Sequence, residues 1–276
     1  MKIEVVLFDF DGVIADTMPF HVQAWQQVFS KYNVEIRADD IYYQEGQTAD
    51  RIGRILAEAK GLSLSIAEIA EVVRQKRKAY LKITRASVYP EIKTLVGKLK
   101  GMNFRLGIVT GSIIPNIVRV TGEKFLENFD VIITGDAVEN NKPHPEPYLT
   151  AAKKLAVTPE QCVVIENAPL GIQAAKEAGM KCIAVKTTIK DDKYLEKADL
   201  IVDRIGHISL DTIKLLRKYG IMYCGINLKS HLTAEPTFVT MNGLKIAFLS
   251  NSQFTMDILI MLFNIYENII YPFTFR

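Results

Sequence analysis

The sequence predicts an α/β protein, a doubly wound parallel sheet with a helical block inserted after its first strand. Three observations carry that prediction. Six short apolar runs, over residues 3–8, 104–110, 129–134, 162–165, 181–185 and 199–202, read as buried strands. Amphipathic helical patterns separate the later runs, and strands alternating with helices imply parallel pairing in a Rossmann-like sheet. Residues 18–87 break that rhythm, with no buried strand and several helical patterns.

The first run ends on Asp9 and Asp11, spaced i, i+2, followed by Gly12, which frees the backbone to turn. Ligands bind at the carboxyl ends of strands in a parallel sheet. Two carboxylates there suit a hard cation, and one of them can be a nucleophile; an ordinary Asp-Gly turn is the plain alternative. The inserted block reads as helices over 21–32, 49–59 and 66–84. It would sit over the carboxyl end of the sheet as a lid that excludes water. A helix over 90–100 follows, with Pro90 in its first turn and Ile92, Leu95, Val96 and Leu99 on one face. Further helices are expected over 145–155 and 168–178, the second stopped by Gly179. The expected division is an α/β core of residues 1–17 and 88–217, a helical cap of 18–87, and an unassigned extension of 218–276. Within that extension, 244–249 reads as a strand. Residues 246–266 carry a single charge, Asp257, and raise a membrane span, but Ser250, Asn251, Ser252, Gln253 and Asn264 are costly in hydrocarbon. A docked extension or an oligomer contact is the preferred reading.

The 276 residues suffice for one large domain and a smaller one. With 34 basic and 31 acidic residues spread along the chain, the net charge of +3 gives no footprint for a nucleic-acid partner. Cys162, Cys182 and Cys224 have no metal-ligand spacing, and a sparse, odd count suits a reducing compartment. No signal peptide is read at the N-terminus, so a cytoplasmic monomer or small homo-oligomer, with no membrane partner, is expected.

Four motifs then follow one another: Phe8-Asp9-Phe10-Asp11-Gly12-Val13-Ile14-Ala15-Asp16-Thr17, Leu106-Gly107-Ile108-Val109-Thr110-Gly111-Ser112, Asn141-Lys142-Pro143-His144-Pro145-Glu146-Pro147-Tyr148, and Cys162-Val163-Val164-Ile165-Glu166-Asn167-Ala168-Pro169. Their order and spacing resemble the haloacid dehalogenase-like superfamily over residues 1–217. His21, Ala24, Trp25, Gly46, Thr48, Lys76 and Tyr80 are similar to its β-phosphoglucomutase and sugar-phosphate phosphatase branch. The resemblance implies an aspartyl-phosphate on Asp9, with Asp11 as general acid and base. Thr110, Gly111 and Ser112 would hold the phosphate, and Lys142 would neutralise phosphate and nucleophile together. Asp9, the Asp11 carbonyl, Glu166 and Asn167 would hold Mg²⁺. His21 and Lys76 would meet the substrate, a small phosphorylated metabolite, from the cap. Asp16 reads as a structural carboxylate capping the cap linker or helix, and Trp25 as core in preference to a stacking surface.

Three positions depart from the branch. Glu45 and Ala49 stand where the mutases carry a lysine and a phosphate-gripping arginine, and Asn167 replaces an aspartate. Arg51 and Arg54 are the nearest substitutes for that arginine. The expected activity is therefore phosphatase, with a phosphohexomutase and a catalytically retired binding protein as rivals.

Overall fold

The computed structural model of the protein describes residues 3–210, 212, 213, 216, 237–241 and 244–248. The chain divides into two units, residues 1–223 and 224–276. In the first, six strands form one parallel sheet: β1 (Val5–Phe8), β2 (Arg105–Val109), β3 (Val131–Ile133), β4 (Cys162–Glu166), β5 (Lys181–Val185) and β6 (Leu200–Val202). Their order is β3-β2-β1-β4-β5-β6, with Phe8 opposite Ile108 on one side and Ile165 on the other. The chain leaves β1 in one direction and returns to its other side at β4. The crevice at that reversal is where this topology binds ligands.

Side chains alternate faces along each strand. Val6 and Phe8 enter one apolar layer with Ile92, Leu95, Val96, Leu99 and Ile117. Val5 and Leu7 enter the opposite layer with Tyr148, Ala151, Ile172 and Ala175. The first layer is covered by helices Pro90–Gly101 and Ile114–Thr121, the second by Glu146–Lys154 and Pro169–Glu177. All six expected strands are present within a residue or two of their expected ends. Helix Ile114–Thr121 and the short Glu123–Leu126 were not expected.

Four helices follow β1: α1 (Met18–Phe29), α2 (Ala38–Tyr42), α3 (Ala49–Ala59) and α4 (Ile66–Ile83). They bury a separate cluster, with Val22, Trp25, Phe29, Ile52, Leu56, Ile69 and Val73 at its centre. α4 starts at a capping box in which Ser65 and Glu68 satisfy each other's backbone N–H groups. Asp16 does not cap α1 as expected. Thr17 occupies the N-cap and turns its hydroxyl to Asp11, while Asp16 is exposed.

In the second unit, Thr237–Met241 pairs antiparallel with Leu244–Phe248, which matches the strand expected at 244–249. Among the described residues no helix is long and apolar enough to cross a membrane. Beyond Phe248, the stretch 246–266 lies outside them, as does Cys224. Cys162 and Cys182 are buried and unpaired.

Candidate active site

Asp9 follows β1 directly, and its amide continues the sheet by donating to the Ile165 carbonyl. Phe10 is buried in the core, so Asp9 and Asp11 turn to the other side together. The Phe10 carbonyl accepts the Ile14 amide at 2.9 Å, and Gly12 takes φ +79°, closing a turn pinned by buried Val13, Ile14 and Ala15.

On one side of Asp9 lies Lys142, only 1% exposed. Its ammonium donates to Asp9 Oδ1 at 2.6 Å, Glu166 Oε1 at 2.7 Å and the Val109 carbonyl at 2.9 Å. Burial opposes the charge, but the two carboxylates outweigh it and raise the ammonium pKa above its ordinary value. Glu166 accepts two further backbone N–H groups on Oε2, from Asn167 and Ala168, and the Tyr148 hydroxyl on Oε1. Four donors fill its acceptor sites. Glu166 thus anchors Lys142, and direct ligation of a metal by it requires exchange of one donor.

On the other side, Asp11 accepts Thr17 Oγ1 at 2.6 Å and His21 Nε2 at 3.0 Å on Oδ1, and Ser112 Oγ at 2.8 Å on Oδ2. Burial raises the Asp11 carboxyl, yet His21, Thr17 and Ser112 together hold it well below the usual carboxylate range. His21 is buried, stacked on Tyr80 at 4.1 Å, and its Nδ1 lies 2.7 Å from Lys76 Nζ. Burial and the Lys76 charge lower the His21 pKa, so a neutral ring donating from Nε2 fits both neighbours. Burial brings Lys76 down to about 8. Of the two residues expected from the helical block, His21 meets Asp11 directly and Lys76 meets His21 behind it.

Thr110 is buried at the end of β2, and its hydroxyl accepts the Ser112 amide at 3.0 Å. Gly111 serves a close approach. A side chain there would lie 2.6 Å from the Gln47 carbonyl and 2.8 Å from that of Gly46, in the loop between α2 and α3. Gly46, at φ +93°, rests on the Lys142 side chain in turn. That loop also carries Glu45, only 4% exposed, whose Oε1 accepts Asn167 Nδ2 at 2.9 Å.

Asp9, Asp11, Glu45, His21, Lys76, Thr110 and Ser112 line one cavity of about 60 Å³. Gln47, Arg77 and Asn116 line it too, and sequence reasoning missed all three. Asn116 is buried with Oδ1 unpartnered, a signal visible only after folding. Arg51 and Arg54 are exposed; Arg51 lines a separate open cleft with Asn140 and His144. Trp25 packs in the helical cluster and also lines the cavity.

A family model for haloacid dehalogenase-like hydrolases matches residues 6–185. The chain belongs to that family. Within the haloacid dehalogenase-like hydrolases it is an enzyme of the phosphatase and phosphomutase kind. It is 32% identical over 216 residues to protein CbbY of Cereibacter sphaeroides, covering 75% of this chain and 94% of CbbY. It is 32% identical over 184 residues to the fructose-1-phosphate phosphatase YqaB of Escherichia coli, covering 66% and 95%. The crystal structure of β-phosphoglucomutase from Clostridium difficile superposes with a TM-score of 0.68 at 29% identity, covering 77% and 96%.

The donor set fits the divalent cation that this family implies. Asp9 Oδ2, Asn167 Oδ1 and Glu45 Oε2 are buried oxygens without a hydrogen-bond partner. Among the described residues no three Asp, Glu, His or Cys side chains are gathered as a ready-made cluster, and one of these three donors is an amide. Burial pushes the Asp9 carboxyl up; Lys142 opposes this, and the Glu166 and Asp11 charges add to it.

Proposed function

We propose that this enzyme is a Mg²⁺-dependent phosphatase that hydrolyses a small phosphomonoester, a sugar phosphate by its branch, through an aspartyl-phosphate on Asp9. One observation carries the reading: a buried Asp9 carboxylate, held by buried Lys142 at 2.6 Å, lines the same cavity as Asp11. In the first step an Asp9 oxygen bonds to phosphorus as the ester P–O bond breaks, and Asp11 gives a proton to the leaving alkoxide. In the second, water attacks phosphorus, Asp11 takes its proton, and phosphate leaves with Asp9 restored. The three donors on Asp11 favour its ionised, proton-accepting form in this closed state. Proton delivery requires one of them to give way to the leaving oxygen. Lys142 offsets the repulsion between anionic nucleophile and anionic phosphate. Asp9, Asn167 and the Asp11 carbonyl would hold Mg²⁺, with Glu166 beside them; bound there, it would neutralise charge on the transferring phosphoryl group.

On this reading residues 18–87 are a cap over a core of 1–17 and 88–217. A cavity of about 60 Å³ is far below the several hundred Å³ usual for a small-molecule ligand, so substrate access requires the cap to open. Phosphate release from a phosphomonoester panel, with and without Mg²⁺, tests the proposal against Asp9→Asn. Turnover that needs Mg²⁺ and vanishes in the variant, with a phosphoryl group trapped on wild-type Asp9, is the expected result. Ligand binding without turnover would favour a retired enzyme.

A mutase is the second reading, favoured by His21 and Lys76 facing Asp11 from the cap, where a sugar hydroxyl would be steered. Glu45 and Ala49 weigh against a second phosphate grip. Interconversion of glucose 1-phosphate and glucose 6-phosphate, stimulated by the bisphosphate, would establish it.

A further inference from the structure

Asp9, Asp11, Glu45 and Glu166 gather round the end of β1, and two ammonium groups, Lys142 and Lys76, face them. An unpartnered buried carboxylate oxygen is costly, and a divalent cation is a partner that satisfies it. Glu45 is the member that no assigned role uses. It reaches the site from the helical layer, is 4% exposed, and leaves Oε2 unpartnered beside Asn167, which is fully buried with its own Oδ1 unpartnered. Glu45 and Asn167 touch at 2.9 Å, so an acidic side chain from the helical layer sits against an uncharged amide just past the end of β4.

We propose that Glu45 is an anionic ligand of the catalytic cation, supplied by the cap loop in place of the carboxylate that Asn167 lacks. The assignment rests on the metal-dependent reading above. It makes cation binding a property of the closed molecule, because one ligand arrives only when the loop docks against Gly111. In a chain with the core carboxylate at position 167, the cation would stay equally well held with the cap open.

Direct titration of the full-length protein with Mn²⁺, followed by the electron paramagnetic resonance signal of the free ion, tests this without reference to activity. Glu45→Gln keeps the shape of the side chain and removes its charge. Its Kd for Mn²⁺ should rise about tenfold or more, the scale at which supporting residues tune metal sites. Asn167→Asp added to Glu45→Gln should recover most of that loss. Glu45→Asp, one methylene shorter, should lie between wild type and Glu45→Gln, and it stands in if the latter does not fold by circular dichroism. A wild-type Kd in the folded variants would overturn the proposal. Asp9→Asn separates the two readings. If it loses Mn²⁺ while Glu45→Gln keeps it, only the Glu45 assignment falls. If wild type itself binds no Mn²⁺, the metal-dependent reading falls with it.

Discussion

The two sides of Asp9 are built differently. Toward Lys142 the hydrogen-bonding groups all come from the core layer, from strand ends, the loops after them and Tyr148 of helix Glu146–Lys154, and Lys142 and Glu166 have every donor and acceptor committed. Toward Asp11 the groups come from both layers. His21 and Lys76 come from α1 and α4, Glu45 comes from the loop after α2, and oxygens are left unpartnered. Groups that must not move are fixed by the sheet. On the proposed function, the groups that meet a variable substrate belong to the helical layer. The chemistry of that proposal draws on both sides, Asp9 and Lys142 on the first and Asp11 on the second.

The strongest way to break that contrast is Lys142→Met. It leaves Asp9 and Glu166 facing each other in the interior, and should cost about 3–5 kcal/mol by urea unfolding. Phosphate release should fall by about 10²–10³-fold or more. A stable, active variant would mean the Lys142 side is not the fixed one. Gly111→Ala attacks the seam between the sides. Its methyl would push the Gly46 and Gln47 carbonyls away, so kcat/KM should drop about tenfold to a hundredfold while the urea midpoint barely moves. An unchanged kcat/KM would show that the loop is not seated there during turnover.

Lys76→Met sharpens the account of the movable side. Lys76 faces His21, Arg77, Trp25 and Tyr80, with Asp11 beyond His21, and burial lowers its pKa to about 8. The unfolded chain therefore binds more protons between pH 8 and the ordinary lysine value. The burial penalty is complete below pH 8 and fades as pH rises through that window. Relative to wild type, the variant should lose about 1–3 kcal/mol of stability between pH 7 and pH 10, read from paired urea curves. A constant difference would refute the buried ammonium.

Asp199→Asn is the smallest test and should leave turnover alone. Asp199 accepts from Lys176, Lys181 and the Cys182 amide. Burial raises its carboxyl, but these donors outweigh that and lower it. Its contribution is present above the ordinary carboxylate range and is lost as pH falls through the lower folded value. The substitution should cost about 1–2 kcal/mol at pH 7 and almost nothing in strong acid.

The sheet was legible because strands buried on both faces read as apolar runs, and Asp9, Thr110 and Glu166 stood out because each lies at a strand end; Lys142, well past the end of β3, stood out only through its motif. Helix Ile114–Thr121 was hidden behind Pro115 and a single turn of apolar residues, and α2 is only five residues long. Glu45, Gln47 and Arg77 lie in a polar loop or on a charged helix and read locally as solvated. Their burial or their place in the cavity follows from docking of one layer on the other, which no local pattern encodes. Asp16 was misread for a related reason: an aspartate and a threonine both suit a helix start, and Thr17 took the N-cap.

Two hydrogen bonds described above, His21 to Asp11 and Asn167 to Glu45, join the helical layer to the sheet, and both end on residues of the cavity. The latch and the lock are thus the same atoms. On the proposed function, a ligand that disturbs either bond acts on the contact between the layers as well as on the chemistry. By reciprocity, one that binds tenfold more weakly to the parted form holds the layers together by the same factor, about 1.4 kcal/mol. The loop carrying Glu45, Gly46 and Gln47 should then report occupancy to any probe of its exposure, such as a protease, before a single bond to phosphorus has changed.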